Sequence, residues 1–293
     1  HGSFSKLDRG ILESLANNAS SVIENARLHR EAEEKRQMDE EIARAREVQQ
    51  TLLPREFRGE DHFQIAGTCI PCRQLGGDYL DQFRLPDGET CVVIADVAGK
   101  GMSASLLAAA LQGMLAAETS IPQPLGTMVE RLNLAISRRA PEGRFVTLFC
   151  GVLHGNGDLR FVNAGHPPPL LVSGGVEPRA LASGAMALGF VSAATYRETR
   201  VRLVPGDVVL MFTDGITEAT GPEGEQFGEE RLEDLTRSHR DGTAEEIRRA
   251  ILAAVAAFCG DRPPGDDLTL LVLKYTGIPS APPRQGSGSW SAS

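Results

Sequence analysis

Two apolar runs of this 293-residue chain end on a carboxylate. Cys91-Val92-Val93-Ile94-Ala95 runs into Asp96, and Val208-Val209-Leu210-Met211-Phe212-Thr213 runs into Asp214. Apolar runs without alternation read as strands covered on both faces. An acid at the mouth of such a strand is costly unless a cation or hydrogen-bond donors compensate it. Turn-forming residues follow both: Val97-Ala98-Gly99-Lys100-Gly101 after the first, Gly215 after the second. Two more acidic positions have similar settings. Gly76-Gly77-Asp78-Tyr79-Leu80-Asp81 puts Asp78 behind two glycines that let backbone or ligand come close, and Asp266-Asp267 stands directly before the apolar run Leu268–Leu273. Taken singly, a strand-end aspartate is commonly an Asx-turn or a helix cap. Four such positions, none beside a natural Lys or Arg partner, point instead to ligands for a hard cation.

Oxygen-only ligands favour magnesium, manganese or calcium over zinc. His1, His29, His62, His154, His166 and His239 show no metal-ligand spacing, which agrees. Two such cations about 3.5–4 Å apart lower the pKa of a bridging water and neutralise phosphoryl oxygens during in-line attack. Phosphate-monoester hydrolysis has one of the highest uncatalysed barriers, so this electrostatic clamp would carry most of the catalysis. No Ser, Cys or His nucleophile is then needed, and the sequence offers no convincing one.

The elements that must hold these residues follow Pro54. Strand-like runs are His62–Ile70, Cys91–Ala95, Phe145–Leu153, Leu159–Asn163, Tyr196–Leu203, Val208–Thr213 and Leu268–Tyr275, separated by turn signals such as Pro86-Asp87-Gly88. Helical stretches come in pairs, Met102–Glu118 with Gln123–Arg139 and Glu229–Ser238 with Ala244–Phe258. Strands clustered with strands and helices in pairs predict an α+β fold with antiparallel sheets, not a βαβ repeat. Before Pro54, Leu7 to Leu53 is helical in composition. Met38, Ile42, Ala45, Gln49 and Leu52 alternate steps of four and three, the heptad pattern of a dimerising coiled coil.

Composition narrows the class. Thirty Lys+Arg against 39 Asp+Glu leave a net charge of −9, which argues against nucleic acid as a partner. No apolar run approaches the roughly 18 residues of a membrane span. Five cysteines without a regular framework suggest a reducing cytoplasm.

Six motifs in order carry a resemblance: Gly-Gly-Asp-Tyr-Leu-Asp (76–81), Asp-Val-Ala-Gly-Lys-Gly (96–101), Asn-Ala-Gly-His-Pro-Pro-Pro (163–169), Thr-Asp-Gly-Ile-Thr-Glu-Ala (213–219), Phe-Gly-Glu-Glu-Arg-Leu (227–232) and Asp-Asp-Leu-Thr (266–269). Together they resemble the SpoIIE-type branch of the PPM, or protein phosphatase 2C-like, phosphatases, over about Leu52 to Lys274. The resemblance implies a metal-dependent serine/threonine phosphatase built as an αββα sandwich. It implies that Asp96 bridges two manganese or magnesium ions, with the Val97 carbonyl as a further ligand and Asp214 and Asp266 on one side of the pair. Asp78 would bind near the other ion or orient its water. Asp267 falls where relatives tolerate Asn, and it is assigned, with Gly77 and Lys100, to the surroundings of the ligands. Leu80 stands where an aromatic is frequent and Ser103 where Pro is frequent; neither change removes a ligand.

Leu12–His29 is similar to the last helix of a GAF sensor domain. The expected organisation is a helical linker and sensor tail over 1–54, a phosphatase domain over 55–275 and a flexible tail over 276–293. A sensor missing at the N-terminus would act through a homodimer of the linker helices. The substrate implied by the resemblance is a phosphorylated STAS-domain anti-anti-sigma protein. The alternative is a non-catalytic regulatory module that keeps the fold and only binds its partner.

Several motifs invite sharper readings. Gly76-Gly77-Asp78 lacks the Glu-Phe of a GGDEF motif, and Gly99-Lys100-Gly101 lacks the first Gly and the Ser/Thr of a Walker A loop. Lys100 is expected either to attract the substrate phosphate or to be a solvated turn lysine. Cys69 and Cys72 read as buried or incidental rather than as a redox pair, and His166 as a loop-structuring residue rather than a base.

Overall fold

The computed structural model describes residues 5–52, 54, 56–140, 143–182 and 184–277. The chain divides into two compact units, 1–48 and 49–293.

The first unit is helical, and its helix, α1 (Lys6–Leu52), runs on into the second. The charged stretch in its middle does not interrupt it. Arg27 pairs with Glu24 and Glu31, and Arg36 with Glu33 and Glu40, at the three- and four-residue spacings that bring side chains together on a helix face. Leu7, Leu15, Val22, Ile23 and Met38 lie exposed along it.

The second unit is built on two five-stranded antiparallel sheets. One has the order β1 (Phe63–Ile70), β10 (Leu268–Tyr275), β9 (Val208–Phe212), β6 (Leu170–Val172), β7 (Arg179–Ala180). The other has the order β2 (Tyr79–Arg84), β3 (Thr90–Val97), β4 (Val146–Leu153), β5 (Asp158–Ala164), β8 (Thr199–Arg202). Alternation along β3 explains why it reads as continuously apolar. Val92 and Ile94 point between the sheets, against Phe149, Val209, Met211 and Leu271. Cys91, Val93 and Ala95 point the other way, under α2 (Met102–Thr119) and α3 (Leu125–Arg139). On the far side α5 (Glu229–Ser238) and α6 (Ala244–Cys259) cover β9 and β10 through Leu232, Ile247, Ile251 and Val255. The result is helix pair, sheet, sheet, helix pair: the αββα sandwich. Burying a branched side chain such as Ile94 contributes about 1.5–3 kcal/mol.

Local signals fix the ends of the elements. Thr243 caps α6 in a capping box: its hydroxyl accepts from the Glu246 N–H, and the Glu246 carboxylate accepts from the Thr243 N–H at 2.7 Å. Three strands have no counterpart among the expected runs. β2 carries polar Asp81 and Gln82 in its middle; Asp81 is buried and accepts from the Tyr79 hydroxyl and the Gln82 N–H. β6 and β7 have only three and two residues. The strand expected from Tyr196 is paired only over Thr199–Arg202, because Tyr196 turns to α3, where its N–H donates to Glu130.

Candidate metal centre

The predicted acidic strand ends, at Asp78, Asp96, Asp214 and Asp266-Asp267, lie at the same end of the sandwich, contributed by both sheets. Asp96 is next to last on β3, across from Thr147 on β4. Asp78 immediately precedes β2, the neighbour of β3. From the other sheet, Asp214 opens the short helix α4 (Asp214–Thr217) two residues after β9, and Asp266-Asp267 lead into β10. Asp78 is buried at 5% exposure. Its Oδ2 accepts a hydrogen bond from the Thr213 hydroxyl at 2.8 Å. The two sheets thus meet at Asp78 and Thr213, between the ends carrying Asp96 and Asp214.

Asp267 does different work. Its Oδ2 accepts from the N–H of Gly77 at 2.7 Å and of Asp78 at 3.3 Å, and its Oδ1 from the Cys72 N–H at 2.8 Å. It ties the loop before β2 to the start of β10 and has little capacity left. Asp266, half-buried beside it, is the freer carboxylate. Gly76 and Gly77 are required by this closeness. A Cβ on Gly76 would stand 2.7 Å from the Asp267 carboxylate, and one on Gly77 would stand 3.2 Å from the Val97 carbonyl oxygen. That carbonyl therefore faces the aspartate loop.

The charges do not balance. Among the described residues, the ion pair made by this group is Lys100 Nζ to Asp266 Oδ2 at 2.6 Å, and Lys100 also donates to the Gly265 carbonyl. This corrects the expectation that none of the aspartates has a basic partner: Lys100 is remote in sequence from Asp266 and reaches it across the turn after β3. The pairing also differs from both readings of Lys100, as a phosphate contact or a free turn lysine. The other carboxylates repel one another in a partly dehydrated space. Burial, and then the charges of Asp214 and Asp266, push Asp96 up to about 6. Burial and the Asp96 charge hold Asp78 well above the usual carboxylate range, and burial with Asp266 raises Asp214. A set of oxygen donors that resists ionising together is what a hard divalent cation relieves, so the residues present fit magnesium or manganese.

Several contributors carried no sequence signal. Arg144 donates to the Ala98 carbonyl and, at 2.9 Å, to the Ser103 hydroxyl, packing where a Cβ on Gly99 would fall. Gly99 has φ +97°, which a side chain would strain. Gln49 brackets Gly76, donating to its carbonyl at 2.9 Å and accepting from its N–H at 3.3 Å. Cys72 lies beyond the end of β1, with its sulfur and one oxygen each of Asp266 and Asp267 within 4.8 Å of one another. Burial and the Asp267 charge push its thiol up to about 11.

This sandwich has the fold of protein phosphatase 2C domains such as that of SiaA from Pseudomonas aeruginosa, which superposes with a TM-score of 0.68 at 24% identity over 82% of this chain and 98% of that one. The model of the family described as stage II sporulation protein E (SpoIIE) matches residues 86–276, and the chain belongs to that family. It is 28% identical to protein IcfG of Synechocystis sp. over 263 residues, which cover 80% of this chain and 41% of that protein. It is also 28% identical to the phosphoserine phosphatase RsbU of Bacillus subtilis, over 80% of this chain and 70% of that one. Among solved structures, the RsbU and RsbW domains of Rv1364c from Mycobacterium tuberculosis superpose with a TM-score of 0.63 at 27% identity, over 75% of this chain and 61% of theirs. The chain therefore spans about two fifths of the length of IcfG. No helix among the described residues is long and apolar enough to cross a membrane.

Proposed function

We propose that the domain is a metal-dependent protein serine/threonine phosphatase that hydrolyses a phosphoserine or phosphothreonine monoester. The observation that carries this is the convergence of Asp78, Asp96, Asp214 and Asp266 from four chain segments onto one end of the sandwich, with the carboxyls of Asp78, Asp96 and Asp214 pushed upward by burial and neighbouring charge. Asp96, the Val97 carbonyl, Asp214 and Asp266 would hold the ions, and Asp78 would bind one of them or orient its water. Two manganese or magnesium ions held there supply an acidified water and neutralise the phosphoryl oxygens.

The chain's own residues prepare the site. Thr213 pins Oδ2 of Asp78. Asp267 fixes the loop by its three N–H bonds, and Gly77 lets the Val97 carbonyl close in. Lys100 shields Asp266 at the rim.

Substrate and regulation are the finer parts of the proposal. Likeness to RsbU supports a phosphorylated STAS-domain protein in the cytoplasm as substrate. The exposed apolar residues of α1, with the heptad around Ile42, support a homodimeric coiled-coil linker. Gln49, in the second unit, supports a route from α1 to the site, since Gly76 precedes Gly77 and Asp78. Ile42→Asp should abolish dimerisation in sedimentation analysis and change turnover without touching a ligand; unchanged mass and turnover would remove the regulatory part.

Phosphate release from a phosphoserine peptide and from p-nitrophenyl phosphate, with manganese and with EDTA, tests the activity. Manganese-dependent release is expected. No release, together with no manganese binding, would leave the non-catalytic binding module in its place.

A further inference from the structure

The segment between β5 and β6 is where the chain leaves one sheet for the other, and it carries a buried imidazole that the proposed chemistry does not use. His166 is 3% exposed. Its backbone is clamped by one side chain: Asn163 Oδ1 accepts from the His166 N–H at 2.8 Å, and Asn163 Nδ2 donates to the His166 carbonyl at 3.0 Å. Gly165, at φ +71° and too close to Ala187 for a side chain, makes the turn that allows this, and three prolines stiffen the exit. A hydrogen bond holds the ring at one edge. Nδ1 meets the Thr147 hydroxyl at 2.9 Å, and Thr147 is the residue across from Asp96. Nε2 is buried without a hydrogen-bonded partner, and the Phe212 backbone acts on the ring; Phe212 ends β9, two residues before Asp214.

We propose that His166 is a positioning residue for the cation pair: its ring is a neutral spacer that sets the gap between the strand end bearing Asp96 and the strand end bearing Asp214. The inference rests on the reading that those two carboxylates share bound ions. A two-ion site tolerates little change in separation, and its carboxylates here come from different sheets, so something must fix the distance between the sheets at this end. The hydrophobic layer between them is deformable at its margin; a flat, wedged ring is not. Burial depresses the imidazole to about 3, so the ring is uncharged at neutral pH.

Manganese titration calorimetry on the full chain, with melting curves and the pH dependence of kcat/KM, tests this on wild type, His166→Ala, His166→Asn and Thr147→Val. Residues that orient metal ligands from behind typically affect affinity by about 10–100-fold, and His166→Ala should weaken manganese binding about tenfold. Thr147→Val, close to isosteric, should weaken it several-fold with little change in melting temperature. His166→Asn, whose amide can still meet Thr147, should recover most of the affinity. The pH profile should keep its shape in every variant. Wild-type affinity in folded His166→Ala and in Thr147→Val would overturn the spacer while leaving the phosphatase intact; if His166→Ala does not fold, Thr147→Val decides. A wild type that binds no manganese would overturn the phosphatase reading and the spacer with it.

Discussion

The neighbours Asp266 and Asp267 should fail in opposite ways when each loses its charge. Asp267 is 6% exposed and accepts three backbone N–H bonds, from Cys72, Gly77 and Asp78. An asparagine keeps one accepting oxygen. If that oxygen stays with Gly77 and Asp78, the new amide group meets the Cys72 N–H donor to donor. A buried donor left without an acceptor costs about 1–3 kcal/mol. In a domain of this size each kcal/mol lowers Tm by about 2–4 °C, so Asp267→Asn should melt about 5 °C below wild type. Asp266 makes an ion pair with Lys100, in which the side chains remain 37% and 41% exposed. Such pairs contribute about 0–1 kcal/mol, and losing this one also relieves repulsion from Asp96 and Asp214. Asp266→Asn should therefore melt within about 2 °C of wild type while losing most of its manganese affinity. Scanning calorimetry in EDTA, paired with manganese titration, reads both quantities. An Asp266→Asn protein that melts lower than Asp267→Asn, or an Asp267→Asn protein that melts with wild type, would refute the division of labour between the two.

Further outcomes follow from the same geometry. Asp96 has its carboxyl raised from 3.8 to about 6 in the fold, so its destabilising effect is absent below the lower value and complete above the higher one. In EDTA, Asp96→Asn should accordingly melt above wild type at pH 7.5, with the gap narrower at pH 5 and closing only toward the lower value; a gap that widens on acidification would contradict the assignment. A Cβ on Gly215 would stand 2.0 Å from the Asp267 carbonyl oxygen. Gly215→Ala must then shift Asp214 or β10, and should cost about 1–3 kcal/mol in thermal unfolding and weaken manganese binding. Wild-type melting and titration would show that this contact is dispensable.

Asp96, Asp214 and Asp266-Asp267 were legible because they bound apolar strands, and Asp78 because two glycines precede it; those strands are continuously apolar because a helix pair covers one face and the second sheet the other. β10 and α5 have the bounds their composition predicts, since turn residues flank both. Strand β2 was illegible because its pairing with β3 tolerates Asp81 and Gln82, whose polar groups find partners only in the folded chain. The same reason hides Lys100, Thr213 and Arg144. Their roles depend on a carboxylate, carbonyl or hydroxyl brought near by the tertiary fold, and nothing in their local sequence marks it. His166 stood in a recognisable motif, but its place between the sheets depends on Thr147 and Phe212, which local sequence does not bring together.

The most direct test of the central claim is the initial rate of phosphate release from a phosphoserine peptide at saturating manganese, for wild type and for Asp214→Asn. Asp214 lies half-buried at the mouth of β9, and asparagine keeps its size and one accepting oxygen, so the variant should fold. The account predicts manganese-dependent release by wild type, and loss of at least about a hundredfold in the variant, since removing a ligand removes transition-state charge stabilisation. A folded Asp214→Asn protein that releases phosphate at the wild-type rate would contradict it.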